Sequence, residues 1–249
     1  MMRWFRADLH VHTVLSPCAA VEMTPRNIIR HAQAAGIDIV AITDHNAGDN
    51  VAAALRAAAG TGVAVLPGME LQTREEVHLL ALFGKMRDFM KWCGFVASHR
   101  SPLLNDEARF GPQFVVDEMD ELIRIEETML LASTDLSLDE AVAQINEWGG
   151  LAIAAHVDRP MFSCLTQLGF IPPDLGLAAV EVSRNTKPGT AREKYPRIGR
   201  LPIVSSSDAH TIDDFISGPK TMFLAETPTL AELRQALTGE GGRRFRDPA

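Results

Sequence analysis

The chain has 249 residues, 46% of them hydrophobic and 22% charged, with 18 Gly and 14 Pro, a globular composition that excludes disordered, collagen-like and disulfide-stapled classes. The 24 Lys and Arg against 32 Asp and Glu leave a net charge of −8, so a polyanion would need a local positive site, which bound divalent cations could supply. Three cysteines without a CxxC pair, an opening MMRWFRADLHVH with no apolar signal core, and no run of ~18 apolar residues lead us to expect a cytoplasmic protein with no membrane partner.

Ala7 to His12 reads as a first strand. Thr24 as N-cap, Pro25 at the first helical position and Ile28, Ile29, Ala32 and Ala35 at helical spacing predict a helix stopped by Gly36. Ile37 to Thr43 is a strand, Asn50 to Ala59 an alanine-rich helix, Val63 to Leu66 a strand leading into Pro67 and Gly68, and Val77 to Phe83 another strand. From Lys85 to about Ser137 the strand rhythm lapses. Helices are predicted at Met86 to Ser98 and Val115 to Met129, and residues 85–137 read as a helical insertion on a barrel rim. The rhythm then returns with a helix over Leu138 to Trp148, closed by Gly149 and Gly150, and strands at Leu151 to Ala155, Ala178 to Val182 and Ile203 to Ser206. A helix over Thr229 to Thr238 follows. About seven βα units around a mainly parallel sheet favour a small (β/α) barrel in a single domain, 1–249, over an open doubly wound sheet. Neither GxGxxG nor GxxxxGK[ST] occurs, so a phosphate-cradling loop is not expected.

Six of the eight histidines, His10, His12, His45, His78, His156 and His210, fall at or just beyond strand C-terminal ends or inside a short strand. In a barrel of parallel strands those ends converge on one face. His10 and His12 are two apart, so on an extended strand both point the same way. Asp44, Glu70 and Asp208 are placed alike. Imidazole mixed with carboxylate suits Zn, Mn or Fe rather than an all-oxygen Mg or Ca site. A lone HxH would be read as a buried pair satisfied by backbone; the repeated placement makes a metal site the stronger reading. His31 and His99 carry no such signal.

The ordered motifs DLHVHTxxS, TDHN, a glutamate after a strand, VHLLALF, AHVDR and SSDAH resemble the PHP (polymerase and histidinol phosphatase) superfamily over nearly the whole chain. The resemblance weakens only in the 85–137 insertion. It implies a distorted (β/α)7 barrel that binds two to three divalent transition metals (Zn, Mn or Fe) and hydrolyses phosphoric esters. By motif, His10, His12, Glu70 and Asp208 would hold a first metal, and Glu70, His78 and His156 a second, so that Glu70 bridges. A third would take His45 and His210 with a residue of the loop after HVHT. There the sequence reads LSPCAA instead of offering the usual Asp or His, so Cys18 is either a thiolate ligand, which would favour zinc, or a small packed residue.

Asp44 is expected to accept an imidazole N–H and fix its tautomer. Arg159 is the first phosphate-binding candidate because its fork matches phosphate oxygens, the alternative being a surface salt bridge; Arg184 is the second. Glu70, Asp208, His210 and Arg159 are the expected catalytic residues, with protonated His210 assisting the leaving alcohol. Amidohydrolases also begin with HxH on a barrel strand, but many bridge two metals with a carbamylated lysine. None of the five lysines here, Lys85, Lys91, Lys187, Lys194 and Lys220, lies in a predicted core strand. Substrate expectations run from a small phosphate monoester or nucleotide, the leading choice, to short oligonucleotides. The acidic balance argues against long nucleic acid. A non-catalytic metal-bound module of an assembly is the remaining alternative, with partner proteins undefined.

Overall fold

Short apolar runs become strands, and the computed structural model, which describes residues 1–246, joins nine of its strands into one sheet. The first half of the chain forms β1 (Arg3–Val11), α1 (Pro25–Ala34), β2 (Ile39–Ile42), α2 (Val51–Ala57), β3 (Ala64–Gln72) and β4 (His78–Leu82). The Thr24 hydroxyl caps α1 by accepting the Asn27 N–H, while Ile28, Ile29 and Ala32 turn inward. Residues 85–137 carry α3 (Met86–Ala97), the single turn α4 (Glu107–Phe110), β5 (Phe114–Val116) and β6 (Leu122–Ile125). The remainder forms α5 (Leu138–Glu147), β7 (Leu151–Ala154), α6 (Cys164–Gln167), β8 (Ala179–Val182), α7 (Pro188–Lys194) and β9 (Ile203–Ser205). Then come α8 (Ile212–Ser217), β10 (Thr221–Ala225), α9 (Leu230–Thr238) and β11 (Arg244–Arg246).

The sheet runs β11-β10-β1-β2-β3-β4-β7-β8-β9. It nearly closes where the segment after β9 returns to β1: Ala209 bridges Val11, and Asp8 Oδ1 accepts the Ser207 N–H at 3.0 Å. The wall from β1 to β4 and β7 to β9 is thus a distorted seven-stranded barrel, with β10 added along the first half of β1 and β11 beyond β10. Leu9, Leu80, Leu82, Ile153 and Val204 fill its interior. A second layer, including Phe83, Val142 and Val180, is packed between wall and helices. No described helix is long and apolar enough to cross a membrane.

Three expectations change. The sheet is not uniformly parallel, since β4 is antiparallel to both β3 and β7, and β10 is antiparallel to β1. Thr73–Val77, the link from β3 to β4, is too short for a parallel crossover. The predicted strand stop at Leu66 fails because β3 continues through Pro67 and Gly68 to Gln72. Gly68 fits because a Cβ there would lie 2.9 Å from both the Ile42 carbonyl and the Leu82 side chain. The helix predicted over Val115 to Met129 is instead the β5–β6 hairpin. Asp117 Oδ1 accepts the Met119 and Glu121 N–H groups and Asp120 takes φ 68°, which turns the chain back. The insertion is therefore part helix and part hairpin, with Phe89, Trp92 and Val96 of α3 buried in the outer layer.

Candidate metal centre

Because β1, β2 and β3 run parallel, as do β7, β8 and β9, their C-terminal ends share one mouth. The antiparallel β4 begins where they end, so His78, its first residue, arrives at the same place. His10 and Glu70 come from β1 and β3, and His12, His45, His156, Asp208 and His210 follow strand ends. Two of these, His156 (φ 28°) and Asp208 (φ 49°), adopt left-handed backbone. Non-glycine residues in that region cost free energy and gather at functional sites, where the surrounding fold imposes them.

Glu70 is the hub, 1% exposed. Its Oε1 lies 3.2 Å from His10 Nε2, 2.9 Å from His78 Nδ1 and 3.1 Å from His156 Nε2. Its Oε2 lies 3.3 Å from His12 Nε2 and 3.0 Å from His45 Nδ1. One carboxylate thus meets five imidazoles. Asp208 Oδ1 is 3.4 Å from both His10 Nε2 and His12 Nε2, and His210 Nδ1 lies 3.0 Å from the Asp208 carbonyl.

The outer partners select which ring nitrogen faces inward. His10 Nδ1 donates to Glu181 Oε2 at 2.9 Å, leaving Nε2 toward Glu70. His12 Nδ1 donates to the Ser16 hydroxyl at 3.0 Å, and that hydroxyl donates to Asp44 Oδ1 at 2.7 Å. Asp44 therefore reaches an imidazole only through Ser16, which corrects the direct contact expected of it; its oxygens are taken by Ser16 and by the Thr13 N–H and hydroxyl. His78 Nε2 donates to Gln72 Oε1 at 3.1 Å, while the Gln72 amide donates to Ser133 at 2.8 Å. Glu181, Ser16 and Gln72 were missed by sequence reasoning. The available signal was a carboxylate inside an apolar strand, AVEV.

The electrostatics follow from this crowding. Burial works against ionising Glu70, but the charges of His78, His10 and His45 outweigh it and hold its carboxyl well below the usual range. Asp208 is held well below its usual value too, chiefly by His10 and His12 acting against burial. Burial disfavours imidazolium at His12, yet the hydrogen bonds to Asp208 and Glu70 raise it to about 9; Glu70 raises His45 to about 9 as well. Burial and neighbouring imidazoles lower His78 to about 4 and His210 to about 3.

Three groups of side chains have donor atoms within 4.8 Å of one another: His10, His12 and Asp208; His45, Glu70 and His78; His12, His45 and His210. The donor set fits divalent metal: ring nitrogens converging on two ionised carboxylates, with His156 Nδ1 buried without a hydrogen-bond partner among the described residues. The partition differs from the sequence expectation: Glu70 falls in one group and not two, His12 and His45 are each shared between two groups, and His156 belongs to none of the three. Cys18 is exposed and lies outside all three groups. Arg159 Nη2 meets Asp208 Oδ2, with the arginine side chain 39% exposed. Arg184 donates to Asp214 Oδ1 and the Ser207 carbonyl. Lys220, outside every predicted core strand, is fully buried; its ammonium is held by the Gly218 carbonyl and by Asp8 Oδ2 at 3.3 Å, so it is not the bridging lysine of the amidohydrolase alternative.

The PHP domain family model matches residues 8–169. An uncharacterized protein of Methanocaldococcus jannaschii is 30% identical over 187 residues, covering 71% of this chain and 80% of its own. Among solved structures, the lesion-specific endonuclease Q of Pyrococcus furiosus superposes with a TM-score of 0.73 at 19% identity, over 98% of this chain and 58% of that one. This chain thus spans little more than half the endonuclease's length. A protein assigned as a metal-dependent phosphoesterase, from Bifidobacterium adolescentis, superposes with a TM-score of 0.56 at 20% identity, over 82% of this chain and 87% of that one. On this sequence match, and with a barrel mouth built of imidazole and carboxylate, the chain belongs to the PHP domain family.

Proposed function

We propose that this chain hydrolyses a small phosphate monoester or nucleotide in the cytoplasm, using two or three divalent transition ions, Zn, Mn or Fe. The observation that carries this reading is Glu70, a buried carboxylate whose two oxygens meet five imidazole nitrogens at 2.9–3.3 Å. His10, His12 and Asp208 would hold one ion, and Glu70 with His45, His78 and His156 another. His210 with His12 and His45 would hold a third, to which Cys18 would add a thiolate. Bound ions would supply a water of lowered pKa and positive charge for the phosphoryl oxygens.

The chain's own residues would do the rest. Glu181 and Ser16 hold His10 and His12 with Nε2 inward, and Gln72 holds His78 with Nδ1 inward, so no ring must reorient when an ion arrives. Arg159 stands at the mouth on Asp208, where its fork would bind non-bridging phosphate oxygens and stabilise charge gathering there during transfer. Its carbonyl accepts from the Ser163 and Thr166 hydroxyls at 2.8 and 2.9 Å, which fixes its loop. No protein nucleophile is needed.

A second reading, phosphodiester cleavage in DNA or short oligonucleotides, draws support from the superposition on endonuclease Q. One screen separates the two readings. Mn²⁺- and Zn²⁺-loaded protein is assayed on phosphomonoesters, cyclic and bisphosphorylated nucleotides, and single- and double-stranded oligonucleotides, abasic ones included. Turnover of monoesters above diesters supports the proposal, turnover confined to oligonucleotides supports the second reading, and no turnover of any substrate rejects both.

A further inference from the structure

Lys220 is among the largest fully buried side chains of the molecule, and it stands just ahead of β10, apart from the residues gathered around Glu70. Its ammonium has three N–H groups and meets three acceptors: the Phe215 carbonyl, the Gly218 carbonyl at 2.9 Å and Asp8 Oδ2 at 3.3 Å. The two carbonyls lie at the C-terminal end of α8, the helix that begins two residues after His210, while Asp8 lies on β1 two residues before His10. One buried cation therefore joins the two stretches of chain that carry His10, His12, Asp208 and His210.

Asp8 is fully buried and serves two donors at once. Its Oδ2 meets the ammonium, and its Oδ1 accepts the N–H of Ser207, the residue before Asp208, at 3.0 Å. An Asn here would offer one acceptor where two donors point. The Ser207 hydroxyl donates to the His10 carbonyl at 3.4 Å, and beyond Asp208 the Ala209 carbonyl accepts the His12 N–H at 3.1 Å. Both neighbours of Asp208 are thus pinned to β1. The end of α8 presses on the same spot, since a Cβ on Gly218 would lie 2.6 Å from the Ser207 Cβ. Between these anchors Asp208 keeps φ 49°, a backbone that a non-glycine residue holds only where its surroundings impose it. Replacing a buried ion pair by neutral side chains of similar size is often neutral for stability, so stability alone would not call for charge here.

We infer that Lys220 is a positioning residue of the metal centre: by holding the end of α8 against Asp8, it locks residues 207–210 onto β1 and sets Asp208 and His210 against His10 and His12. Its consequence for metal binding rests on the proposed metal-dependent reading, whereas the clamp itself belongs to the metal-free chain.

The test uses full-length protein carrying Lys220→Met, which keeps the length of the stem, or Lys220→Met/Asp8→Asn, which also removes the carboxylate left unpaired and keeps an acceptor for the Ser207 N–H. If the single variant unfolds, the double variant carries the comparison. In metal-free protein, amide hydrogen exchange over residues 207–218 should be about tenfold faster in the double variant than in wild type, with exchange in β2 and β3 unchanged and the melting temperature within about 5 °C. Unchanged exchange in that segment, faster exchange throughout the chain, or failure of both variants to fold would overturn the inference. Chelator competition with Zn²⁺ then follows the ion that Asp208→Ala removes. The double variant should hold that ion about tenfold more weakly, the lower end of what losing an outer partner of a metal ligand costs, and the other ions within threefold of wild type. That ion held as tightly as in wild type, or every ion weakened alike, would overturn the positioning role. Faster exchange in a protein from which Asp208→Ala removes no ion would sustain the clamp and reject the metal-dependent reading.

Discussion

Glu181→Ala tests whether the carboxylate behind His10 tunes the metal centre. Glu181 sits on β8 at 1% exposure, and its Oε2 accepts the His10 Nδ1–H at 2.9 Å in surroundings where both side chains are shut off from water. A hydrogen bond to a charged group contributes about 1.5–3 kcal/mol, and removal of an outer partner from a metal-binding imidazole lowers metal affinity about 10- to 100-fold, or about 1.4–2.7 kcal/mol. The two ranges agree, so a loss of one to two decades in affinity is expected for the ion nearest His10. Glu181→Gln keeps an acceptor and the side-chain volume but not the charge, and should fall between wild type and Ala. Chelator competition with Zn²⁺ or Mn²⁺ reads the affinity directly, with thermal unfolding run on the same samples. Affinities within threefold of wild type for both variants, in folded protein, would refute this role.

Glu70→Gln should lose at least one ion and about three decades of phosphoesterase turnover, consistent with the several kcal/mol at stake in a metal-binding carboxylate, while circular dichroism stays close to wild type; activity and metal content both near wild type would remove Glu70 from the centre. Arg159→Ala should keep full metal content and lose one to two decades in kcat/KM, with weaker inhibition by inorganic phosphate. Arg159→Lys should recover little of that loss because an ammonium lacks the bidentate fork. Native alkylation at pH 8 should label Cys18, which is exposed, long before Cys93 and Cys164, whose thiols burial pushes up to about 12; faster labelling of Cys93 would contradict the packing described. If Cys18 is a thiolate ligand, metal loading should protect it and Cys18→Ser should lose one ion, which Cys18→Asp partly restores. Retention of every ion by Cys18→Ser would assign it to the rim instead.

Much of the fold is legible wherever local chemistry and tertiary packing agree. Thr24 and Pro25 start α1, and Ser137 with Glu140 starts α5 in a reciprocal cap, because those side chains satisfy helix N–H groups without help from distant residues. The histidines were legible because polar residues at the ends of apolar strands have few structural uses. The β5–β6 hairpin was not, since Glu, Met and Leu around 118–122 favour a helix locally and only pairing of Val115 with Arg124 makes the segment a strand. His78 was found for an incomplete reason. It begins a strand, and only the reversal of β4 brings it to the common mouth. The roles of Glu181 and Lys220 were not legible, although the carboxylate in AVEV stood out, because each answers distant partners, His10 and the His156 N–H for Glu181 and Asp8 for Lys220, which no spacing along the chain encodes.

The central claim is that Glu70 and its ring of imidazoles form a multinuclear metal centre. Elemental analysis of protein reconstituted with Mn²⁺ or Zn²⁺ and freed of excess ion tests it directly. Two or three ions per chain are predicted, because the eight clustered side chains exceed what one four- to six-coordinate ion can use. A saturated stoichiometry of one ion or fewer in folded protein would contradict it.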